Sequence, residues 1–216
     1  MAFFIPEEQT NFPPVELADA DGLLAIGGSL SFERLINAYK NGIFPWYNEG
    51  EPACWYSPDP RFVLFPSKLK VSHSMKAVLK KNEFTFSIDL DFADVIRNCR
   101  KAKRKSEPGT WISDEIEHAY TDLFKKGFAH SAETWKNNKL IGGLYGVQMD
   151  SVFFGESMFA SESNASKFAF INYVKTLEKQ GVKLVDCQVY TAHLESLGAE
   201  FISRKEFISL LKKLIG

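Results

Sequence analysis

The sequence predicts a mixed α/β fold of the α+β kind, with a small N-terminal domain over residues 1–65 and a larger mixed-sheet domain over residues 66–216. Two observations carry that prediction. Residues 1–65 are rich in Pro, Gly and aromatics and hold one helix-like stretch. Further on, helical spacing and two-residue alternation trade places, ending in two hairpins, a helix, a buried strand and a helix.

The helix-like stretch is Phe32–Asn41, with Ser31 to cap it and Gly42 to end it. Pro45–Pro60 carries Trp46, Tyr47, Trp55 and Tyr56 among prolines and reads as a rigid aromatic loop. Residues 72–81 form a short helix capped by Ser72 or Ser74, with Lys76, Lys80 and Lys81 on or beside one face. Glu83–Ile88 alternates as a strand. Phe92–Lys101, capped by Asp91, is a helix that runs into the basic residues Arg97, Arg100, Lys101, Lys103, Arg104 and Lys105. Ser113 caps an amphipathic helix on which Ile116, Ala119, Tyr120, Leu123 and Phe124 keep helical spacing, and Gly127 stops it. Strands at His130–Trp135, Leu140–Gln148 and Val152–Phe159 are joined by tight turns at Asn137-Asn138 and Met149-Asp150. Then come a helix at Ala165–Gln180 closed by Gly181, a buried strand at Lys183–Val189, and a short helix at Ala192–Leu197. A strand at Glu200–Ile202 and a helix at Lys205–Leu214 complete the order.

Composition excludes some functions. With 45% hydrophobic residues the chain has enough apolar surface for a real core, and most of its 19 Phe belong there. The net charge of -1 gives no bulk attraction to a polyanion, so any nucleic-acid contact must use a local patch. Three cysteines without a CxxC pair suggest neither a disulfide framework nor zinc. The histidines are scattered and no metal is expected. Met1–Phe12 has no long apolar run, so neither a signal peptide nor a membrane span is read, and the expected compartment is cytoplasmic.

Two strings carry polar groups inside apolar strands, and a third is marked by glycines. In Val185-Asp186-Cys187-Gln188-Val189, two-residue periodicity puts Asp186 and Gln188 on one sheet face. A buried Asp must be paired, hydrogen-bonded or raised in pKa, so it is either a satisfied structural acid or part of a polar site. In Phe153-Phe154-Gly155-Glu156-Ser157-Met158-Phe159, a carboxylate sits among large apolar residues. It is either solvated on the outer sheet face or forms a pocket floor for a cationic group. Gly142-Gly143-Leu144-Tyr145-Gly146 marks a bulge or a close backbone approach. Trp46, Trp55 and Trp111, with the basic run, have the makings of a stacking and phosphate-binding surface, although core packing and a solvated face explain each one singly. Asn164-Ala165-Ser166-Lys167 opens a helix, where ordinary capping competes with anion binding.

An ordered set of strings resembles one family, the leucyl/phenylalanyl-tRNA–protein transferases. They are Asp21–Gly28, Gly42–Trp46, Trp55–Arg61, Gly109–Ile112, Gly142–Val147, Gly155–Phe159, Asn164–Lys167 and Asp186–Gln188. The match runs from about residue 19 to about residue 204, and the one departure is that the chain stops soon after Leu214, where some members continue. The resemblance implies an acetyltransferase-like (GNAT-like) C-terminal domain. It implies transfer of Leu or Phe, and less well Met, from aminoacyl-tRNA to proteins beginning with Arg or Lys, marking them for degradation. No cofactor is implied, because an aminoacyl ester is already activated; DNA and membranes are not expected partners. Under this reading Asp186 and Gln188 are catalytic, and Glu156 binds the acceptor. Phe153 and Met158 form the donor side-chain pocket. Trp46 and Trp111 take the terminal adenosine, and Lys76, Lys80 and Lys81 the tRNA. Two other readings stand beside it. An acetyl-CoA-dependent acyltransferase would need a pyrophosphate loop where this chain has Ser161-Glu162-Ser163-Asn164, and a non-catalytic RNA-binding module would rest on the basic run and the tryptophans alone.

Overall fold

The computed structural model describes residues 2–102 and 112–216. Its capping residues behave as their chemistry dictates: Ser31, Ser72, Asp91, Ser113, Thr191 and Ser203 each accept a backbone N–H from the third residue onward. They start α1 (Phe32–Lys40), α2 (His73–Lys80), α3 (Phe92–Lys101), α4 (Asp114–Lys125), α6 (Ala192–Glu195) and α7 (Arg204–Leu214). The long α5 (Ala165–Lys179) is the exception. Asn164 precedes it in the left-handed region, at φ 68°, and its side chain makes no capping bond.

The strands form two sheets. The small one has the order β1 (Phe3–Phe4), β2 (Leu23–Ile26), β4 (Cys54–Tyr56), β3 (Phe44–Pro45). The large one has the order β11 (Glu200–Ile202), β5 (Arg61–Leu64), β10 (Leu184–Gln188), β9 (Val152–Ala160), β8 (Lys139–Met149), β7 (Ala129–Lys136), β6 (Thr85–Ile88). The mixed α/β class is therefore the one observed. Two details differ from the sequence reading. Pro45–Pro60 is not all loop, because Phe44 pairs with Tyr56 and Pro45 with Trp55, and Trp55 is fully buried. Pro45 is tolerated because β3 is an edge strand. The change from small sheet to large falls between Tyr56 and Arg61, ahead of residue 65. All four residues of β5 are buried, so the strand lacks the alternation that marks a half-exposed one.

One core joins the two sheets. Leu24, Tyr39 and Trp55 from the N-terminal part pack with Val63, Tyr145 and Phe154 of the large sheet and with Val95 and Ile116 of α3 and α4. The other face of the large sheet is covered by α5, with Phe168, Ile171 and Val174 against Phe62, Phe153 and Val185. Arg34, buried in α1, donates to the backbone oxygens of Pro6, Glu7, Gln9 and Ser29, tying the first residues to that helix. Among the described residues no helix is long and apolar enough to cross a membrane.

Two irregularities in the large sheet position the site. Between β8 and β9, Tyr145 pairs with Ser157 and Gly146 with Gly155, which leaves Glu156 as an extra, bulged residue. Between β10 and β5, Asp186 pairs with Val63 and Gln188 with Phe62, which leaves Cys187 extra. Gln188 itself lies at φ 62°. The parallel pairing of β9 and β10 ends at Phe154 and Asp186, so the two strands part at the level of both bulges.

The first bulge depends on a glycine. A Cβ on Gly146 would stand 2.1 Å from the Phe154 carbonyl oxygen and 2.5 Å from the Phe153 ring. Gly146→Ala is expected to destabilise the fold by about 1–3 kcal/mol or more, the scale of overpacking in a core. Urea unfolding measures it, and an unchanged midpoint would show that the bulge adapts freely.

Candidate active site

Where β9 and β10 part, a cavity of about 530 Å³ opens between the strands, α5, the start of α6 and the Phe44-Pro45-Trp46 segment. Its floor is polar. Glu156 Oε1 accepts hydrogen bonds from Tyr39 Oη at 2.7 Å and Gln188 Nε2 at 3.0 Å, and Oε2 accepts from Tyr120 Oη at 2.9 Å. The two phenol oxygens also lie in short contact with each other. They reach Glu156 from α1 and α4, on the sheet face opposite α5. Burial, and then the neighbouring Glu156, hold both phenols well above their ordinary pKa, so they remain neutral donors.

No protein cation pairs with Glu156 among the described residues. Burial pushes its carboxyl from 4.5 up to about 7, partly offset by the bonds from Tyr39, Tyr120 and Gln188; the nearby Asp186 adds to the rise. The phenol and amide donors make a buried carboxylate tolerable without neutralising it.

Asp186 is satisfied differently. It is fully buried, and its Oδ1 accepts from Arg61 Nε at 2.8 Å and from the Gln188 backbone N–H at 2.9 Å, while Oδ2 accepts from Arg61 Nη2 at 2.6 Å. The Arg61 guanidinium lies between the rings of Phe44 and Phe207, 4.7 and 4.6 Å from their centroids. Asp186 and Gln188, expected on one strand face, take different partners. At the bulge around Cys187, with Gln188 left-handed, the Asp186 carboxylate meets Arg61 and the Gln188 carboxamide meets Glu156, and both residues line the cavity. Cys187 also lines it, but burial and then Asp186 push its thiol far up, so it stays protonated.

Leu144, Phe153, Met158, Phe170, Val185 and Leu194 make an apolar wall of the cavity, with Ser157, Ser166, Thr191 and His193 also lining it. Trp46 stands at one side, half-exposed and tilted against Tyr56 at 5.8 Å. The structure thus brings together Glu156, Gln188, Asp186, Phe153, Met158 and Trp46. Trp111 and Lys103–Lys105 lie outside the described residues. Lys76, Lys80 and Lys81 are exposed on or just after α2 and do not line the cavity. In the basic run, Arg97 pairs with Asp94, and Arg100 is shared by Asp114, Glu117 and Glu49. Among the described residues no group of three or more His, Cys, Asp or Glu side chains is placed to hold a metal ion.

Sequence reasoning missed Tyr39, Tyr120 and Arg61 as site residues. Tyr120 shows only as an apolar position of its helix, and Arg61 only as part of a motif string. A usable signal existed: a phenol at a core position needs a polar partner, and a buried guanidinium needs an anion.

A family model described as leucyl/phenylalanyl-tRNA protein transferase matches residues 63–212, and the model of that family's N-terminal domain matches residues 28–59. The chain belongs to the leucyl/phenylalanyl-tRNA protein transferase family. The two matches meet where the chain passes from the small sheet to the large. The leucyl/phenylalanyl-tRNA–protein transferase of Christiangramia forsetii is 53% identical, over 98% of this chain and 100% of that protein. Its namesake in Flavobacterium johnsoniae is 54% identical, over 93% and 95%. Among solved structures, L-PGS from Bacillus licheniformis aligns with a TM-score of 0.46 at 13% identity, over 90% of this chain and 73% of that one. A GCN5-related N-acetyltransferase from Kribbella flavida aligns with a TM-score of 0.39 at 10% identity, over 76% and 58%. Likenesses at these scores carry no statement about chemistry. Family membership makes the chain an aminoacyltransferase enzyme.

The two polar residues of β10 should separate in experiment. Asp186→Ala leaves the Arg61 guanidinium buried without its counter-ion, and is expected to cost about 3–5 kcal/mol of stability. Gln188→Ala removes a hydrogen bond and should cost about 1 kcal/mol. Urea unfolding of both variants checks this, and an Asp186→Ala protein as stable as wild type would deny the pair its structural weight.

Proposed function

We propose that the chain transfers leucine or phenylalanine, and methionine less well, from aminoacyl-tRNA to the N-terminus of proteins that begin with Arg or Lys. In that role it marks them for degradation in the cytoplasm. The observation that carries the reading is the floor of the cavity, where Glu156 is bonded by two phenols and an amide and, among the described residues, by no cation, directly beside an apolar wall. The acceptor's N-terminal Arg or Lys supplies the missing charge, and the apolar wall receives the side chain of the donated residue, against Phe153 and Met158.

In the reaction the acceptor's α-amine attacks the ester carbonyl. The new N–C bond replaces the C–O bond to the terminal ribose, and the proton lost by the amine is matched by one gained by the ribose oxygen. The ester is activated beforehand, so the enzyme's task is to hold amine and carbonyl together and manage that proton. Gln188 orients the amine. Asp186 acts through Gln188, whose backbone N–H it holds while Arg61 holds its other side. Trp46 stacks on the terminal adenosine; Trp111 keeps the same assignment from sequence alone. Lys76, Lys80 and Lys81 contact the tRNA, and their exposure suits phosphate binding.

Glu156→Gln is expected to lower kcat/KM for Arg-starting peptides, relative to a neutral-starting one, by roughly one to two decades, the scale of removing a charge-assisted bond. In wild type, affinity for the Arg-starting peptide should rise as pH climbs through about 7, because the carboxyl ionises there, and the Gln variant should lack that rise. Peptide kinetics and binding across pH decide it. An equal Arg-over-neutral ratio in both proteins would remove Glu156 from acceptor recognition.

Neutralising Lys76, Lys80 and Lys81 together should flatten the salt dependence of tRNA binding, by roughly 0.7 to 0.9 in log–log slope for each phosphate that the variant no longer neutralises. Affinity titrations over a range of salt test it. A slope unchanged in the triple variant would move the tRNA path to another surface.

A further inference from the structure

Beside the cavity the molecule exposes three large apolar side chains: Val189 at 43%, Tyr190 at 47% and Phe201 at 52%. Val189 and Tyr190 also form part of the cavity wall, so the exposed surface continues the cavity outward. Tyr190 and Phe201 stack with centroids 5.9 Å apart and planes 19° from parallel. Both rest on the buried ring of Phe62, at 5.4 and 4.8 Å. Phe201 belongs to β11, the edge strand of the large sheet, where it pairs directly with Phe62 of β5. The Tyr190 hydroxyl donates to Glu195 Oε2 at 2.8 Å, which fixes the second ring. The pair is therefore a platform held from below by the sheet.

Covering Phe62 does not require two stacked rings left about half in water. Exposed apolar surface of this kind, continuous with a substrate cavity, marks an interaction site. The charges beside it favour a peptide over a polyanion. Glu195 makes no ion pair among the described residues, and Glu200, on the same strand as Phe201, is already paired with Lys68. The reach also fits. Tyr190 follows Gln188 by two residues, at most about 7 Å of chain. An extended peptide advances roughly 3.3 Å per residue.

We propose that the Tyr190/Phe201 platform binds the second and third residues of the acceptor polypeptide, and gives the enzyme a preference for aromatic or large apolar side chains there. This rests on the reading of the cavity as the acceptor's entry site. It adds a second level of selectivity to the N-terminal residue, set by the sequence that follows it.

The experiment compares Arg-Phe-Phe and Arg-Gly-Gly peptides, with identical remaining sequence, as acceptors from Phe-tRNA. Wild type, Phe201→Ser and Phe201→Leu are each assayed after circular dichroism has checked the fold. In wild type, kcat/KM for the Phe-containing peptide should exceed that for the Gly-containing one by roughly three- to tenfold, the scale of aromatic pair interactions. The ratio should fall toward one in Phe201→Ser. Phe201→Leu, which still covers Phe62, should keep part of the preference. KM for Phe-tRNA should be the same in all three. A wild-type ratio of one overturns the proposal while leaving the reading of the cavity intact, as does a ratio that Phe201→Ser leaves unchanged. A raised KM for Phe-tRNA with an unchanged peptide ratio overturns it in favour of the RNA end. Absence of transfer to either peptide by wild type overturns the reading of the cavity, and the platform's role with it.

Discussion

The Arg61–Asp186 pair is the constraint on which the rest of the site depends. It joins neighbouring strands of the large sheet with both side chains buried, a carboxylate and a guanidinium meeting in a two-bond fork. A pair so deeply buried recovers its desolvation cost only through good geometry and further bonds. Here the further support comes from Phe44 of the small sheet, Phe207 of the last helix, and the backbone N–H of Gln188. Four distant parts of the chain are therefore held at one point. That point fixes the place where β10 leaves its regular course.

Next to it stands a second acid in the opposite condition. Asp186 has a full counter-charge. Among the described residues Glu156 has only neutral donors, and burial raises its carboxyl to about 7. Two carboxylates two hydrogen bonds apart, linked through Gln188, thus have separate tasks set by their partners. One holds the backbone, and the other is left incompletely satisfied at the floor of a cavity. The bulge at Glu156 and the bulge at Cys187 create the opening between the strands, and Gly146 gives the first of them its room.

Much of the fold was legible because its signals are local. Ser31, Ser72, Asp91 and Ser113 announce helix starts by the bond each makes three residues onward, the turn at Asn137-Asn138 sets the first hairpin, and the second turns at Asp150-Ser151, one residue beyond the expected Met149-Asp150. The strand β5 was not legible. It is a short apolar run buried on both sides, and nothing local ties it to strands far away in sequence. The same holds for the site. Asp186, Gln188 and Glu156 stand out as polar residues in apolar strands. Tyr39 and Tyr120 do not, because a tyrosine on a helix's apolar face looks like any other core residue until its hydroxyl finds a partner.

The sequence by itself determined the order of most elements, the family, and the polar residues that interrupt its buried strands, since these follow from capping chemistry, hydrophobic period and ordered motifs. Only the tertiary structure decided what those polar residues do. An extra residue bends a strand and disrupts its pairing locally, and the two-residue rule cannot foresee where that happens. Around the bulge at Cys187, Asp186 meets Arg61 and Gln188 meets Glu156, and long-range packing brought two phenols from α1 and α4 to the remaining carboxylate.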